Sequence, residues 1–438
     1  MTPTAVHAIF DIGKTNKKLF LFSPSGEILW NTSTSFPTIE DENDFPADDL
    51  DSIEQWMKDT ISELMENNDW LIQSINFSGY GASLVYLDEE GLRLPLFINY
   101  LMPYPDEVAD AFFDQYGPKL EFCRESASPF LGMLNSGLQI YWLKKVKPEW
   151  YTKVRYVLHF PQYLSYMFTG NPVAEFTSIG CHTGMWNYEN QDYHSWIDAE
   201  EIRELLPPIM PSGTWMETLV NGRPVKVGTG LHDTSASLIP YLAVEKEPFL
   251  LLSTGTWAVC VNPFSTDALS REDLENDCLY FLGIEGQQVR SARLFLGREH
   301  EIQAEKLAEY YQMDLDDVLR IDWDPNLYAA SRTTPYFPFE FEYLDIASPA
   351  GRAQSPSAIP ENVNLSYYQL MDLLIPKQIE AIKRAAGSQP VRRLIIEGGF
   401  VHNAVFVNLL RHYLPDWEIK ESEIEGGSAR GVFELVNL

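Results

Sequence analysis

Apolar residues gather into short strand-length runs at the start of the chain and again just past its middle. Residues 6–10 and 19–22 are apolar runs flanking the turn-like stretch Asp11-Ile12-Gly13-Lys14-Thr15-Asn16-Lys17-Lys18. Residues 249–252 and 258–261 flank Ser253-Thr254-Gly255-Thr256-Trp257 in the same way. Both patterns predict strand, glycine hairpin, strand, and a third strand is expected over residues 27–31. From Leu50 the period lengthens: Leu50, Ile53, Met57, Ile61 and Leu64 fall on one helical face. Residues 74–78 read as a buried strand, and residues 83–87 as its hairpin partner after the Gly79-Tyr80-Gly81 turn. Helices are predicted over 135–145, 160–168, 231–241, 299–311 and 367–386, and a strand over 393–396. Residues 334–360, rich in aromatics and proline, read as an irregular surface excursion.

Strands alternating with helices in this order predict an α/β layered architecture. At 438 residues the chain exceeds one ordinary domain, so two are expected, 1–243 and 244–438, with the acidic, proline-containing stretch 244–248 as the hinge. The strand, strand, strand, helix, strand opening is the order of a ribonuclease-H-like half-domain.

Charge narrows the partners. Sixty-three acidic against 32 basic residues give a net charge of −31, which repels nucleic acid and anionic membranes. An anionic nucleotide would therefore need local help from glycine loops, helix N-termini, lysines and a metal ion. Lys14, Lys17 and Lys18 beside Asp11 form such a local exception, although Lys17 or Lys18 facing solvent is the plainer reading. Cys123, Cys181, Cys260 and Cys278 form no C-x-x-C pair and are expected as free buried thiols, with no zinc ligand set. No apolar run reaches the ~18 residues of a membrane span, and the start lacks a signal-peptide pattern, so a cytoplasmic protein is expected.

The glycine hairpins carry the chemistry. Glycine permits close backbone approach and positive φ, so such a turn presents N–H groups to a polyanion. One hairpin opens each half, which suggests a nucleotide clamped between domains. Asp11 ends an apolar strand, where an unpaired carboxylate is costly; it is either a Mg²⁺ ligand or a turn-initiating aspartate. Asp233 follows Gly228-Thr229-Gly230 at a helix start, either as a carboxylate placed for proton transfer or as a plain N-cap.

Four segments taken in order, the two hairpins, Gly228-Thr229-Gly230-Leu231-His232-Asp233-Thr234 and Glu397-Gly398-Gly399-Phe400-Val401-His402-Asn403, resemble the FGGY carbohydrate kinases of the actin-like ATPase superfamily. The resemblance extends from Asp11 to the stretch 425–431. The triplet His232-Asp233-Thr234, the second hairpin, and Leu164-Ser165-Tyr166-Met167-Phe168-Thr169-Gly170 look closest to kinases of deoxy-ketoses such as rhamnulose and fuculose.

The resemblance implies two actin-like domains around an interdomain cleft, ATP and Mg²⁺ as cofactors, and a small-molecule sugar as partner. It implies Asp233 as base, Asp11 as metal residue, and Gly13, Lys14, Thr15, Asn16, Gly255, Thr256, Gly398, Gly399 and Asn403 at the nucleotide. Gly81, Asn99, Gln162, His232 and Asp233 become sugar contacts, with His182 a further wall residue or a structural hydrogen-bonder. The chain departs from the family pattern in several places. Lys14 and Asn16 replace small hydroxyl residues, so Lys14 either adds a phosphate contact, the expectation here, or obstructs the turn. Ser83 stands for an acid, the segment at residues 99–102 lacks an Arg-Asp pair, Gln162 replaces an aspartate, and residues 293–297 lack an asparagine. A less acidic, more apolar pocket suits a deoxy sugar, since a buried polar group without a partner costs about 1–3 kcal/mol. A monomer or homodimer is expected. The rival reading is a catalytically weak sugar-binding pseudokinase or sensor; an actin-like chaperone has no reason to carry the His-Asp-Thr triplet.

Overall fold

The chain is described here in a computed structural model, for residues 3–40, 45–67, 69–346 and 359–437. The first strand, Thr4–Ile12, obeys a period of two. Val6, Ala8, Phe10 and Ile12 enter one apolar cluster and Ile9 another, so both faces of the strand are covered. The chain turns at residues 13–16 into Lys17–Phe22, which pairs antiparallel, and then into Ile28–Thr34. Helix Leu50–Glu66, capped by the Asp49 carboxylate on the Ser52 N–H at 3.1 Å, crosses the sheet. It buries Leu50, Ile53, Met57, Ile61 and Leu64 and delivers Trp70–Gly79 parallel to the first strand. Arg223–Gly228 and Trp215–Val220 complete the sheet.

The second sheet repeats the scheme. Leu250–Thr254 turns back antiparallel into Ala258–Asn262, followed outward by Gln288–Leu294 and Cys278–Leu282. On its other side Arg393–Gly398 and Glu418–Glu421 run parallel, after the long helix Val363–Ala386. The two apolar runs that open each half thus form matching hairpins.

Four details differ from the sequence expectation. Leu84–Leu87 is a strand, but its partner is Tyr156–His159, because both edges of Trp70–Gly79 are already occupied by Thr4–Ile12 and Arg223–Gly228. Leu231–His232 is a short strand beside Ser78 and Gly79, and the helix starts at Asp233, running to Val244. Residues 334–346 have no helix or strand, yet Phe337 and Phe339 are buried. The fully buried Glu299 carboxylate accepts the N–H groups of Glu342, Tyr343 and Leu344 and pins this segment; residues 347–358 of the expected excursion lie outside the described residues.

The fourth concerns the domain split. The last helix, Gly427–Glu434, does not stay with the second half but packs on helix Asp233–Val244 and the first sheet. Pro240 lacks the N–H that would have bonded the Ala236 carbonyl, and Gly431 lies against that carbonyl so closely that a Cβ would sit 1.8 Å from it. All four cysteines are buried and free. Among the described residues, no helix is long and apolar enough to cross a membrane.

Candidate active site

The hairpin tips of both sheets open into one cleft of 980 Å³. Asp11, Gly13, Lys18, Tyr80, Gly81, His232, Asp233 and Ser237 contribute from the first half. Ser253, Thr254, Gly255, Trp257, Arg293, Glu397, Gly398, Gly399 and the stretch 422–428 contribute from the second. The geometry follows from the parallel centre of each sheet, since both glycine loops sit at the C-terminal ends of paired strands.

Asp11 lies at the end of the first strand, and its carboxylate accepts the Ser428 hydroxyl at 2.7 Å. Burial raises its pKa, Ser428 opposes that rise, and the neighbouring Asp233 adds to it. Asp233 stands at the first position of its helix, where the Thr234 N–H donates to it at 2.6 Å. Burial nevertheless lifts its pKa to about 6, against the hydrogen bonds from Thr234. Its neighbour His232 is held neutral: burial, with Arg293 nearby, lowers its pKa to about 3. The His232 amide donates to Thr177 Oγ1 at 3.0 Å, and that hydroxyl in turn donates to the buried Glu175 carboxylate at 2.5 Å. This chain of bonds fixes the backbone from which Asp233 projects.

At the inner end of the cleft, Tyr80, Gly81, Ala82, Tyr100, Leu134, His182 and Phe281 join His232. A Cβ on Gly81 would lie 2.3 Å from Cys181 Sγ and 3.2 Å from His232, so a side chain there would fill the space. His182 is also kept neutral by burial, and its Nδ1 is 2.9 Å from the Leu134 carbonyl. The Arg293 guanidinium packs over Trp257 and bonds Asp277 through two nitrogens.

The second-domain wall includes three glycines from its two loops, Gly255, Gly398 and Gly399. Gly255 donates its N–H to the Trp257 carbonyl at 2.9 Å, closing the hairpin. Gly398 has φ +83°, and a Cβ on it would lie 1.9 Å from the Thr254 carbonyl, so the loop requires glycine there. Gly399 has open space beside it.

Several residues expected at the site do not line the cleft. Lys14 reaches Asp48 at 2.5 Å, over the rings of Tyr80 and Tyr100. Thr15 and Asn16 are exposed at the hairpin tip, where the Asn16 carbonyl accepts the Gly13 N–H at 3.0 Å. Thr256 is exposed beyond the lining, and its carbonyl accepts the Arg298 N–H. Asn99 bonds the Pro46 carbonyl and the Leu101 N–H. Gln162 is fully buried and donates to the Gly230 carbonyl at 2.8 Å. Asn403 caps helix Ala404–Tyr413 through the Phe406 N–H and donates to Tyr367. For Asn99, Gln162 and Asn403 a backbone group within reach engages the polar side chain.

Lys18 is the cleft lysine that sequence reasoning left open. The hairpin register places it opposite Asp11, and directly opposed residues share a face of the sheet. Lys17 opposes Ile12 instead and is buried, donating to the Lys14 carbonyl at 2.8 Å. Glu397, Ser428 and Arg293 lie in the segments 397–403, 425–431 and 293–297 named from the sequence, although none is singled out there as a site residue.

Residues 6–239 match the N-terminal domain of the FGGY family of carbohydrate kinases, and residues 246–338 match the FGGY C-terminal domain. The chain belongs to the FGGY family of carbohydrate kinases. A rhamnulokinase from Enterobacter sp. (strain 638) is 28% identical over 239 residues, 52% of this chain and 48% of that protein. The chain thus matches about half the length of this curated relative. A carbohydrate kinase from Novosphingobium aromaticivorans superposes with a TM-score of 0.79 at 22% identity, over 99% of this chain and 92% of that one. The ligand-bound xylulose kinase from Lactobacillus acidophilus gives 0.79 at 16% identity, over 99% and 89%. The architecture is accordingly that of the FGGY kinase structures, the two-domain actin-like fold.

Proposed function

We propose that this chain transfers the γ-phosphoryl group of ATP to a hydroxyl of a small sugar, with a deoxy-ketose of the rhamnulose or fuculose type as acceptor. The observation that carries the reading is the convergence of Asp11 and Asp233 on one side of a cleft whose other side offers Gly255, Gly398 and Gly399. The His232 imidazole 3.3 Å from the Asp233 carboxylate is held neutral, and the carboxyl has a pKa of about 6, which suits a group that must accept a proton at working pH. The glycine loops and Lys18 position the polyphosphate, and positioning with charge neutralisation supplies most of the rate in this chemistry.

The residues fit Mg²⁺. Asp11, Asp233, Glu397, Glu423 and Glu425 bring five carboxylates to a cleft proposed to hold a polyanion, an arrangement that calls for a cation. Among the described residues no cluster of three or more acidic, His or Cys side chains could hold a metal by itself. Mg²⁺ is commonly held by one or two carboxylates together with waters and substrate phosphates. Asp11 is the residue assigned to it, and bound there it would neutralise charge on the phosphates.

For the acceptor, the inner end of the cleft combines two neutral imidazoles with Phe281, Leu134, Ala82 and two tyrosines. A sugar with a methyl in place of one hydroxyl leaves fewer groups unpaired against such a wall. The similarity to a rhamnulokinase supports the deoxy-ketose, while the likeness to a xylulose kinase rests on fold alone.

The test is ADP release with L-rhamnulose, L-fuculose, D-xylulose and glycerol as acceptors. Acceptor-dependent release that is fastest with a deoxy-ketose is expected, and it should fall ~10²–10⁴-fold in Asp233→Asn. Near-normal turnover in that variant removes the base assignment. Binding without turnover of any acceptor favours the sensor reading.

A further inference from the structure

Helix Asp233–Val244 presents Asp233, Ser237 and Tyr241 at four-residue spacing, which places them along one face. Asp233 and Ser237 line the cleft, whereas Tyr241 is buried at the far end of the helix. Its hydroxyl donates to Glu397 Oε2 at 2.8 Å and lies 2.6 Å from Ser422 Oγ. With the tyrosine O–H directed to Glu397, the Ser422 hydroxyl donates to the tyrosine oxygen.

Both partners belong to the second domain and both are tied to its nucleotide wall. Glu397 immediately precedes Gly398-Gly399, and its own carbonyl accepts the Thr254 hydroxyl. Thr254 Oγ1 in turn accepts the Phe400 N–H at 3.1 Å, closing the loop on itself. Ser422 donates its N–H to the Ile396 carbonyl at 2.8 Å, and its hydroxyl accepts the Ile424 N–H at 3.1 Å. One hydroxyl on the catalytic helix therefore touches the two segments that carry the glycine loop and the stretch 422–428. We infer that Tyr241 is a positioning residue whose hydroxyl links the nucleotide loop at Gly398-Gly399 to the helix carrying Asp233. Nucleotide seated on the loop then steadies the base across the domain boundary. The inference rests on the proposed nucleotide role of that loop.

Amide hydrogen exchange of the full chain, with and without MgADP, tests it. In the unaltered protein MgADP should slow exchange at residues 398–403 and also slow it at least ~5-fold over residues 233–244. Tyr241→Phe keeps the buried ring and loses only the hydroxyl; it should keep the first effect and lose the second. Glu397→Gln retains an acceptor oxygen and should keep the second effect, whereas Glu397→Leu should lose it. The slowing of 233–244 surviving in either Tyr241→Phe or Glu397→Leu overturns the inference and leaves the kinase reading standing. No MgADP effect at 398–403 in the unaltered protein overturns both.

Discussion

The two sheets repeat one strand scheme, but their paired strand ends carry opposite chemistry. In the first sheet Asp11 on the opening strand stands in register with Ser78 on the parallel strand. In the second, Ser253 on the opening strand stands in register with Glu397 on the parallel strand. The acid and the hydroxyl have exchanged places. At these paired strand ends each half brings one carboxylate to the cleft, and burial raises the pKa of both. Their partners differ: Asp11 receives Ser428 from the returning terminal segment, while Glu397 receives Tyr241 from the first domain. The fold sets where a strand ends and leaves the residue type there free to serve a local need. Asp11 is left with capacity for a cation, whereas Glu397 is engaged across the boundary.

The sharpest way to break this comparison is to remove the charge on one side only. Asp11→Asn keeps the shape and an oxygen for Ser428, so the cleft should stay folded. Turnover should fall at least ~10²-fold, the scale of losing one electrostatic contact to the transition state, and the Mg²⁺ concentration for half-maximal rate should rise. An unchanged metal titration counts against Asp11 as the metal residue.

The glycine loops give a second contrast. Gly398→Ala forces a left-handed residue against the Thr254 carbonyl, whereas Gly399→Ala meets open space. Strain of this kind costs on the order of 1–3 kcal/mol, so urea unfolding should show that loss for Gly398→Ala and little change for Gly399→Ala. Equal stabilities would mean the loop relaxes, and the requirement for glycine would then rest on ligand approach alone.

The pH dependence follows from Asp233. A base must be ionised, and with a pKa of about 6 the carboxylate is ionised above that value and protonated below it. The plot of kcat/KM against pH should therefore fall about tenfold per unit below pH 6 and lie flat above it. A limb near the ordinary carboxylate range, two units lower, would mean that burial does not hold the Asp233 carboxyl up in the working enzyme, and a rate independent of pH between about 4 and 8 would count against Asp233 as the base.

How much of this was legible in the sequence depends on the distance over which a residue's neighbours are set. The hairpins were legible because apolar runs and glycine turns are local signals. Both sheets contain the opening strands expected at residues 6–22 and 249–261, with small differences in their ends. The order of motifs also placed Asp11, Gly13, Gly255, Gly398, Gly399, Gly81, His232 and Asp233 together in the cleft. What was not legible is which buried polar residue faces the cleft and which serves the scaffold. Gln162 and Asn403 have the chemistry of ligand contacts, yet each lies beside a backbone group that would otherwise be unpaired. Lys18 was recoverable in principle: counting back across a four-residue turn puts it opposite Asp11, while Lys14 lies in the turn itself. The return of helix Gly427–Glu434 to the first sheet has no local signature, because the contact pairing Gly431 with Ala236 spans nearly half of the chain.

The smallest expected effect separates Asp233 the catalyst from Asp233 the structural residue. Burial raises its pKa above the unfolded value, so the folded state favours the protonated carboxyl. Whatever stability that preference confers is fully present below the unfolded pKa of about 4 and is lost as pH rises through about 6. At pH 8 the ionised group therefore burdens the fold, and Asp233→Asn should relieve the burden while abolishing turnover. About a third of the side chain reaches solvent, which screens the penalty, so the gain in Tm at pH 8 should be no more than ~2 °C. At pH 4 the carboxyl is already neutral in the fold, and the two proteins should melt together. A variant less stable at pH 8 than the parent would show the carboxylate to be a helix cap whose ionised form holds the structure, and the bond from the Thr234 N–H would then outweigh the cost of burial.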